Sequence, residues 1–284
     1  MEGEKRMKEL SLQEIQQEEI RLLEKFDRVC EENGLVYYLA FGSLIGAVRH
    51  GNIIPWDDDL DLWMPLEDIK KLTQIINSNQ EKYAPLYVIT RENEKNYPYA
   101  LPRVTNTEFK YIDDVDVTNN KVNMGVFLDV YPLEPYGKDR ETGWKIYKHI
   151  NKVNSRYQYY VNPISTSKKW KTLIKWPYSM LLRLIHGRDY HKRIDNDLER
   201  YLKKHTSEDD PYIGTPRWNI IDLLQMDREW FDGRLKMKFG DMMAYVPEHY
   251  DELLKVNYGD YMKLPPEEDR NPYHHYKIYR KDEE

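Results

Sequence analysis

Four aspartates within five positions constrain this chain more than any other feature of its sequence. They are Asp57, Asp58, Asp59 and Asp61 in the stretch AFGSLIGAVRHGNIIPWDDDLDLWM, residues 40–64. An apolar segment with the pattern of a buried strand begins inside the run. Like charges at this density repel one another, and a solvated loop would not explain their position beside a core segment. A divalent cation would relieve the repulsion, so the run predicts a metal site at the start of a strand.

The alternation of side chains along a strand indicates which carboxylates converge. If the strand includes residues 59–62, Asp59 and Asp61 lie on one face and Leu60 and Leu62 turn into the core. Oxygen ligands without histidine or cysteine favour Mg²⁺ or Mn²⁺, which proteins bind together with water and substrate phosphates. The pair therefore predicts a phosphorylated substrate.

A third carboxylate comes from a different strand. Asp129 is the only charged residue in MGVFLDVYPL, residues 124–133, which has the pattern of a buried strand. It is a candidate to bridge a metal ion or to accept the proton of an attacking hydroxyl. A buried carboxylate that caps a loop or pairs with an arginine is the alternative.

Gly42 and Ser43 are predicted to form a turn at the start of a short helix. Backbone N–H groups and the Ser43 hydroxyl would then face an anion at the positive end of that helix. A Gly-Ser pair and an Asp-x-Asp pair each occur often by chance, so the prediction depends on their combination.

The periodicity along the chain predicts helices alternating with strands, typical of an α/β (α+β) fold. Gly34 is expected to end the first helix, and a break is expected at Lys175-Trp176-Pro177. The tail from residue 267 is polar and ends in charged residues. The predicted helices are 10–33, 44–50, 66–78 and a helical region at 141–205, and the predicted strands are 35–41, 59–64, 86–90 and 124–133.

The sequence has no repeat and no linker-like stretch, so we expect a single domain, residues 1–284. Its core is expected at about 20–135, a basic and aromatic helical segment at about 141–205 and a C-terminal elaboration at about 206–284. With 43 Lys and Arg against 49 Asp and Glu, the net charge of −6 disfavours nucleic-acid binding as the main role. Cys30 is the one cysteine, so a disulfide framework is excluded. Without a signal-like or membrane-spanning run, a cytoplasmic location is expected.

The segment GSLIGAVRHGNIIPWDDDLDLWMP resembles the signature of the LicD family, and FLDVYPLEPYG at 127–137 resembles its second motif. The resemblance implies a nucleotidyltransferase-type mixed sheet flanked by helices, and transfer of a phospho-alcohol from a CDP carrier to a sugar hydroxyl. It places the metal carboxylates at Asp59, Asp61 and Asp129, which are also the catalytic residues. Asp57 would support these ligands or hold a second metal ion, and the role of Asp58 is the least specified of the run.

From these features we expect Mg²⁺- or Mn²⁺-dependent transfer of phosphocholine from CDP-choline to a cell-surface glycan precursor, such as a teichoic acid, lipopolysaccharide or capsule, with release of CMP. Other CDP-alcohols (ethanolamine, glycerol or ribitol) are alternative donors. Two other interpretations remain: a nucleotidyltransferase that acts on a small molecule, and an inactive scaffold that keeps the fold.

Further residues are candidates for substrate binding. Arg49 suits a diphosphate, and His50 could hydrogen-bond nearby, although both also suit a helix C-terminus. Trp56 is a candidate ligand wall, and aromatic faces would suit a quaternary ammonium. The full set is Gly42, Ser43, Arg49, His50, Trp56, Arg103, Arg270 and His274; the last two, with His275, would either fold over the site or form a solvated terminus.

The stretch 168–193 has eight lysines and arginines against one acidic residue, Asp189, with Trp170, Trp176, Leu181, Leu182 and Leu184 between them. This composition suits a helix lying on an anionic inner membrane leaflet, where a lipid-linked acceptor would be anchored. The alternative is a solvated helix that packs its apolar side on the domain.

Overall fold

The computed structural model describes residues 7–94, 97, 99–113, 122–161, 169–187, 189–218, 225–272, 274 and 276–281. Helices and strands alternate along the first half of the chain. The helices are α1 Leu12–Asn33, α2 Phe41–His50, α3 Leu66–Ser78, α4 Gln80–Tyr83, α5 Arg140–Val161, α6 Lys169–His186, α7 Tyr190–His205 and α8 Tyr250–Tyr258. The strands are β1 Lys8–Glu9, β2 Tyr38–Leu39, β3 Asp61–Pro65, β4 Leu86–Ile89, β5 Arg103–Asn106, β6 Phe109–Asp113, β7 Val126–Pro135, β8 Tyr212–Gly214, β9 Gln225–Asp227, β10 Arg234–Phe239, β11 Met242–Pro247 and β12 Tyr276–Arg280.

The first helix has strong signals at both ends. Ser11 and Glu14 form a capping box at its N-terminus, and Gly34, with φ 64°, ends it in the left-handed conformation that glycine adopts without strain. Its apolar face, which includes Leu22, Leu23 and Phe26, is buried in the main core. The structure confirms two predictions: Gly34 ends the first helix, and residues 66–78 form a helix.

The central sheet is mixed, which confirms the predicted α/β class. Its strands run in the order β2-β3-β7-β5-β4; β3 and β7 are parallel, and the other neighbours are antiparallel. In this register Asp61 lies opposite Asp129, which lies opposite Arg103. Residues in register share a face of the sheet, so the fold brings these three side chains together.

Two predictions about elements were wrong. Gly42 and Ser43 do not form a turn, because α2 already begins at Phe41. The helix α6 continues through Pro177 instead of breaking there. The tail includes β12, which pairs with β1 and β6 in a second, three-stranded sheet.

The helices α5 and α7 pack around a second apolar cluster, which includes Ile146, Ile150, Tyr157 and Leu198. The buried Arg91, which follows β4, joins this helical lobe to the sheet through Asp195 of α7 at 3.3 Å. Arg217, which follows β8, binds Glu134 of β7 through two hydrogen bonds of 2.5 and 2.9 Å, and its backbone carbonyl accepts a hydrogen bond from Asn154 of α5 at 2.8 Å. Among the described residues, no helix has the length and apolar character needed to cross a bilayer. That the chain forms a single domain stays a prediction.

Candidate active site

The acidic run lies between α2 and β3 and is held in place from both sides. The Ser43 hydroxyl accepts a hydrogen bond from the backbone N–H of Asp61 at 2.9 Å. From α1, the Gln16 side chain donates to the backbone carbonyl of Asp57 at 2.7 Å. Because β3 begins at Asp61, Asp59 precedes the strand and does not belong to it. Ser43 therefore positions Asp61, and its predicted contact with a substrate phosphate stays a prediction.

Gly42 is the point of closest approach between α2 and the acidic run. A Cβ atom at this position would lie 2.7 Å from the Asp57 carboxylate, closer than real contacts allow. The missing side chain thus makes room for Asp57, which explains glycine here without any unusual backbone angle.

We expect Gly42→Ala to weaken Mg²⁺ binding about tenfold to a hundredfold while the fold is retained. The added methyl group displaces a side-chain carboxylate and not the backbone, and alanine is the better helix former. Titration calorimetry with Mg²⁺ and thermal unfolding measure the two effects. In an Asp57→Asn background the same change should lower the Mg²⁺ affinity no further; equal losses in both backgrounds would contradict the contact.

Burial and mutual repulsion act on the carboxylates of the run. Burial, followed by the charge of Asp58, raises the pKa of Asp57 to about 6. Burial, followed by the charge of Asp57, raises the pKa of Asp59 to about 8. The pKa of Asp61 is raised well above its usual range by burial and by Asp59.

The surroundings of Asp61 test whether the run suits a metal ion. Tyr131 lies close enough to the Asp61 carboxylate to oppose the rise of its pKa. Within the described part of the chain, however, the buried Asp61 Oδ1 atom has no hydrogen-bond partner. A buried carboxylate oxygen without a partner is costly unless a donor or a cation completes it. Since the neighbouring ligands are carboxylates too, the residues fit a hard divalent cation.

A second group of possible ligands joins the run to the C-terminal segment. One ligand atom each from Asp58, Asp59 and His274 lies within 4.8 Å of the others. His274 donates from its backbone N–H and from Nδ1 to the two Asp58 oxygens, both at 3.0 Å, and the Tyr276 hydroxyl donates to the Asp58 carbonyl. Although burial opposes its charge, the Asp58 bond and nearby carboxylates raise the pKa of His274. Asp58, the residue least specified by the sequence, thus binds the tail to the site.

Asp129 is held by Arg103. The guanidinium donates from Nε to Oδ1 at 2.5 Å and from Nη2 to Oδ2 at 3.3 Å, and both side chains are almost fully buried. This is the arginine pairing that the sequence left open for Asp129. Arg103 therefore forms part of the wall of the site, and a metal or proton-accepting role for Asp129 stays a prediction.

Four of the predicted binding residues form one cluster beside the acidic run. The Arg270 guanidinium lies 5.5 Å from the ring centre of Trp56, and the His50 ring meets Trp56 edge to face at 6.1 Å. Burial, followed by the positive charge of Arg270, lowers the pKa of Arg49. Arg49 donates to the Tyr261 carbonyl at 2.8 Å, and Arg270 to the Pro265 carbonyl at 2.9 Å. The fold thus brings two guanidinium groups from opposite ends of the sequence close together, as anion recognition requires.

An aromatic group adjoins Asp61. Trp63 and Tyr131 lie in register on β3 and β7, and the Phe41 ring packs edge to face on both at 5.0 and 4.9 Å. Phe41 has φ 45°, in the left-handed region that bulky residues rarely adopt. Strain of this kind is held by surrounding packing and concentrates at functional sites.

Sequence reasoning missed Glu19 of α1, which is 1% exposed. Burial, followed by the charges of Asp59 and Asp57, raises its pKa well above the usual range. The Oε2 atom has no hydrogen-bond partner among the described residues. The signal was present: Glu19 lies four residues from both Ile15 and Leu23, on the apolar stripe of the helix. Tyr258 was missed too; the charges of Asp61 and Asp57 add to burial in raising its pKa.

We expect the metal-free protein to lose stability between pH 5 and pH 8. Asp57 and Asp59 have folded pKa values of about 6 and 8, above the unfolded value of about 3.9, so the folded state holds more protons in this range. Each extra proton lowers the free energy of unfolding by about 1.4 kcal/mol per pH unit. The raised pKa of His274 acts in the same direction.

Denaturant unfolding in EDTA at several pH values measures this slope. Added Mg²⁺ should raise the melting temperature more at pH 8 than at pH 5, because protons compete with the cation for the carboxylates. A metal-free stability that rises over this range would contradict the assignment.

Comparisons with known proteins agree with this geometry. Residues 34–179 match the model of the LicD/FKTN/FKRP nucleotidyltransferase domain, which spans both α2 with the acidic run and β7 with Asp129. The chain is 26% identical over 283 residues to the lipopolysaccharide cholinephosphotransferase LicD of Haemophilus influenzae, covering 96% of this chain and 99% of that protein. A stretch of 47 residues is 53% identical to human ribitol 5-phosphate transferase FKRP, covering 16% of this chain and 10% of that protein. This chain belongs to the LicD/FKTN/FKRP family.

Proposed function

We propose that this protein transfers a phospho-alcohol from a CDP carrier to a sugar hydroxyl of a cell-surface glycan precursor, with CDP-choline as the preferred donor and CMP as the released product. Similarity to a cholinephosphotransferase and to a ribitol 5-phosphate transferase supports transferase activity. The observation that carries the proposal is the group formed by the half-buried Asp57 and Asp59 and the buried Asp61, beside the cluster of Arg49 and Arg270. Carboxylates for a cation and guanidinium groups for phosphate oxygens are what a diphosphate donor needs.

The choice of choline has two supports. The relative that aligns over nearly the whole chain is named a cholinephosphotransferase. In addition, the half-buried Phe41 packs on the buried rings of Trp63 and Tyr131 next to Asp61, and its accessible aromatic face would attract a quaternary ammonium. The Trp56 ring, by contrast, already has the Arg270 guanidinium beside it. We therefore assign the alcohol to the Phe41 group and the diphosphate to the arginine cluster.

In this mechanism the acceptor hydroxyl attacks the β-phosphorus in line with the bond to the CMP oxygen. The new bond joins the sugar oxygen to phosphorus, and CMP leaves with the bridging oxygen. Asp57, Asp59 and Asp61 would hold Mg²⁺ or Mn²⁺, which when bound neutralises charge that develops on the diphosphate. Arg49 and Arg270 orient the donor phosphates.

The hydroxyl proton needs an acceptor, and Asp129 is the candidate proposed from the sequence. Its two oxygens accept hydrogen bonds from Arg103, which fixes the orientation of the carboxylate toward the face that it shares with Asp61. Arg103 is thus a positioning residue in this scheme.

The test is incubation of the purified protein with Mg²⁺ or Mn²⁺ and, separately, CDP-choline, CDP-ethanolamine, CDP-glycerol and CDP-ribitol. Metal-dependent CMP release and a thermal shift that are greatest with CDP-choline are the expected results. Equal use of CDP-choline and CDP-glycerol would refute the aromatic choline site while leaving the transferase.

The description of the matched domain favours nucleotidyl transfer as the second candidate. That reaction would give pyrophosphate from a nucleoside triphosphate and no CMP from any CDP-alcohol. If neither a CDP-alcohol nor a nucleoside triphosphate gave a metal-dependent response, the remaining interpretation would be an inactive scaffold that keeps the fold.

A further inference from the structure

The described part of α6 has its apolar side turned away from the protein. Leu184 is 80% exposed, Ile185 60%, Trp176 55% and Leu181 50%. Met180 is exposed as well. Residues 176, 180 and 184, and residues 181 and 185, are four apart, so they form one continuous stripe along the helix. A surface helix normally buries this stripe.

Polar groups occupy much of the side that faces the domain. Ser179 is 1% exposed and donates to the Tyr160 carbonyl at 3.2 Å, and Arg183 donates to the same carbonyl at 3.3 Å. Leu182 is the buried apolar residue of this stretch. Hydrogen bonds to α5 thus anchor the helix, and they fix the apolar stripe in its outward orientation.

Basic residues lie close to α6. Arg156 of α5 and Arg193 of α7 both lie close enough to His186 to lower its pKa, after burial. Lys175 adjoins the stripe in sequence, with its ammonium 5.8 Å from the Tyr159 ring. The stretch 168–193 has eight basic residues and one acidic residue, in a chain with a net charge of −6. Apolar side chains with basic neighbours are the pattern of a helix that lies in the plane of an anionic membrane surface.

We propose that the exposed stripe of α6, formed by Trp176, Met180, Leu181, Leu184 and Ile185, inserts into the surface of an anionic lipid bilayer. The basic residues of the stretch 168–193 supply the positive charge that an anionic surface attracts. A second copy of this chain is the less favoured occupant, because a twofold interface would place the same excess of positive charge against itself. The consequence for the reaction rests on the proposed function: the acceptor would be linked to a lipid in the same membrane.

Flotation with lipid vesicles tests whether the exposed stripe of α6 binds membranes, and it does not require a measurement of enzyme activity. The full-length protein is mixed with vesicles of phosphatidylcholine alone or with about 30% phosphatidylglycerol, at low and high salt. We expect binding to the anionic vesicles that weakens with salt, and weaker binding to the neutral ones. Leu181→Ser combined with Leu184→Ser should reduce binding about tenfold or more, because two exposed leucines lose their contact with the acyl region.

The matched control is Val256→Ser combined with Met262→Ser, which changes two apolar side chains that are 69% and 52% exposed elsewhere. It should bind vesicles like the unmodified chain. No binding of the unmodified chain to anionic vesicles, or equal binding by the α6 variant, would overturn the proposal. A dimer in sedimentation that the α6 variant abolishes, without vesicle binding, would assign the stripe to a second copy.

CMP release from a water-soluble donor should be unchanged in the α6 variant, since none of these residues belongs to the acidic run. Vesicle binding without CMP release from any donor would keep the membrane surface and remove only the inference about the acceptor. The two proposals therefore fail separately.

Discussion

Asp59→Asn should abolish metal-dependent CMP release, with a loss of about 1,000-fold or more, and at the same time stabilise the metal-free protein. Activity falls because the amide offers no charge to a cation or to the diphosphate that it holds. Stability rises because burial and the charge of Asp57 raise the pKa of Asp59 to about 8, so the carboxylate is costly to ionise in the folded state. At pH 8 we expect a gain of about 2 kcal/mol in the free energy of unfolding.

The two readouts are CMP release and urea unfolding in EDTA. Asp209→Asn, at an exposed aspartate, is the matched control and should change neither. Asp61→Asn should behave like Asp59→Asn, since its carboxylate has an orphaned buried oxygen. Turnover at the unmodified rate in either variant would eliminate the metal assignment, and a loss of activity with a loss of stability would indicate damage to the fold instead.

Arg103→Met should destabilise the protein by about 3–5 kcal/mol, because it leaves the Asp129 carboxylate buried without its cation. The ion pair is bidentate and nearly inaccessible to solvent, so water cannot replace the lost hydrogen bonds. Denaturant unfolding measures the effect. Combining it with Asp129→Leu should restore most of the stability, since an apolar pair of similar volume replaces a buried ion pair, and it should restore no activity.

A second buried pair provides an internal comparison. Arg217 binds Glu134 with two hydrogen bonds, and this pair lies beside the pairing of β7 with β8 and not in the acidic run. Arg217→Met should therefore cost a similar free energy while the Mg²⁺ affinity is unchanged. If Arg103→Met lowered stability and also left Mg²⁺ affinity and turnover unchanged, Asp129 would have a purely structural role.

The elements with a strong local pattern were predicted well from sequence. The helix at 66–78 and the strand at 86–90 have a clear period or a short apolar run, and the Gly34 stop depends on a single residue. Other elements were missed or misplaced in the sequence analysis because they do not follow from a local pattern. The strands β5 and β12 form through pairing with distant segments, which local pattern does not show, and α6 tolerates Pro177.

The same division applies to the candidate site. The density of aspartates from 57 to 61 and the lone charge of Asp129 in an apolar strand are local features, so the sequence pattern alone indicates where the site lies. Glu19 could have been suspected from its place on an apolar stripe. The pairing of Arg103 with Asp129, and of His274 with Asp58 across more than 200 residues, depends on strand register and on the path of the C-terminal segment.

The sequence by itself therefore determined which chemical groups this protein offers: clustered carboxylates, which suit a cation, and arginines, which suit phosphate. The tertiary structure decided which of these groups lie close together. It also decided which carboxylates and arginines bind each other. It also decided which way α6 turns its apolar side, since the spacing of Trp176, Leu181 and Leu184 is equally compatible with a buried and an exposed face. The reason is physical: burial and long-range hydrogen bonds arise from the packing of distant segments, and they set the pKa values and exposure on which function depends.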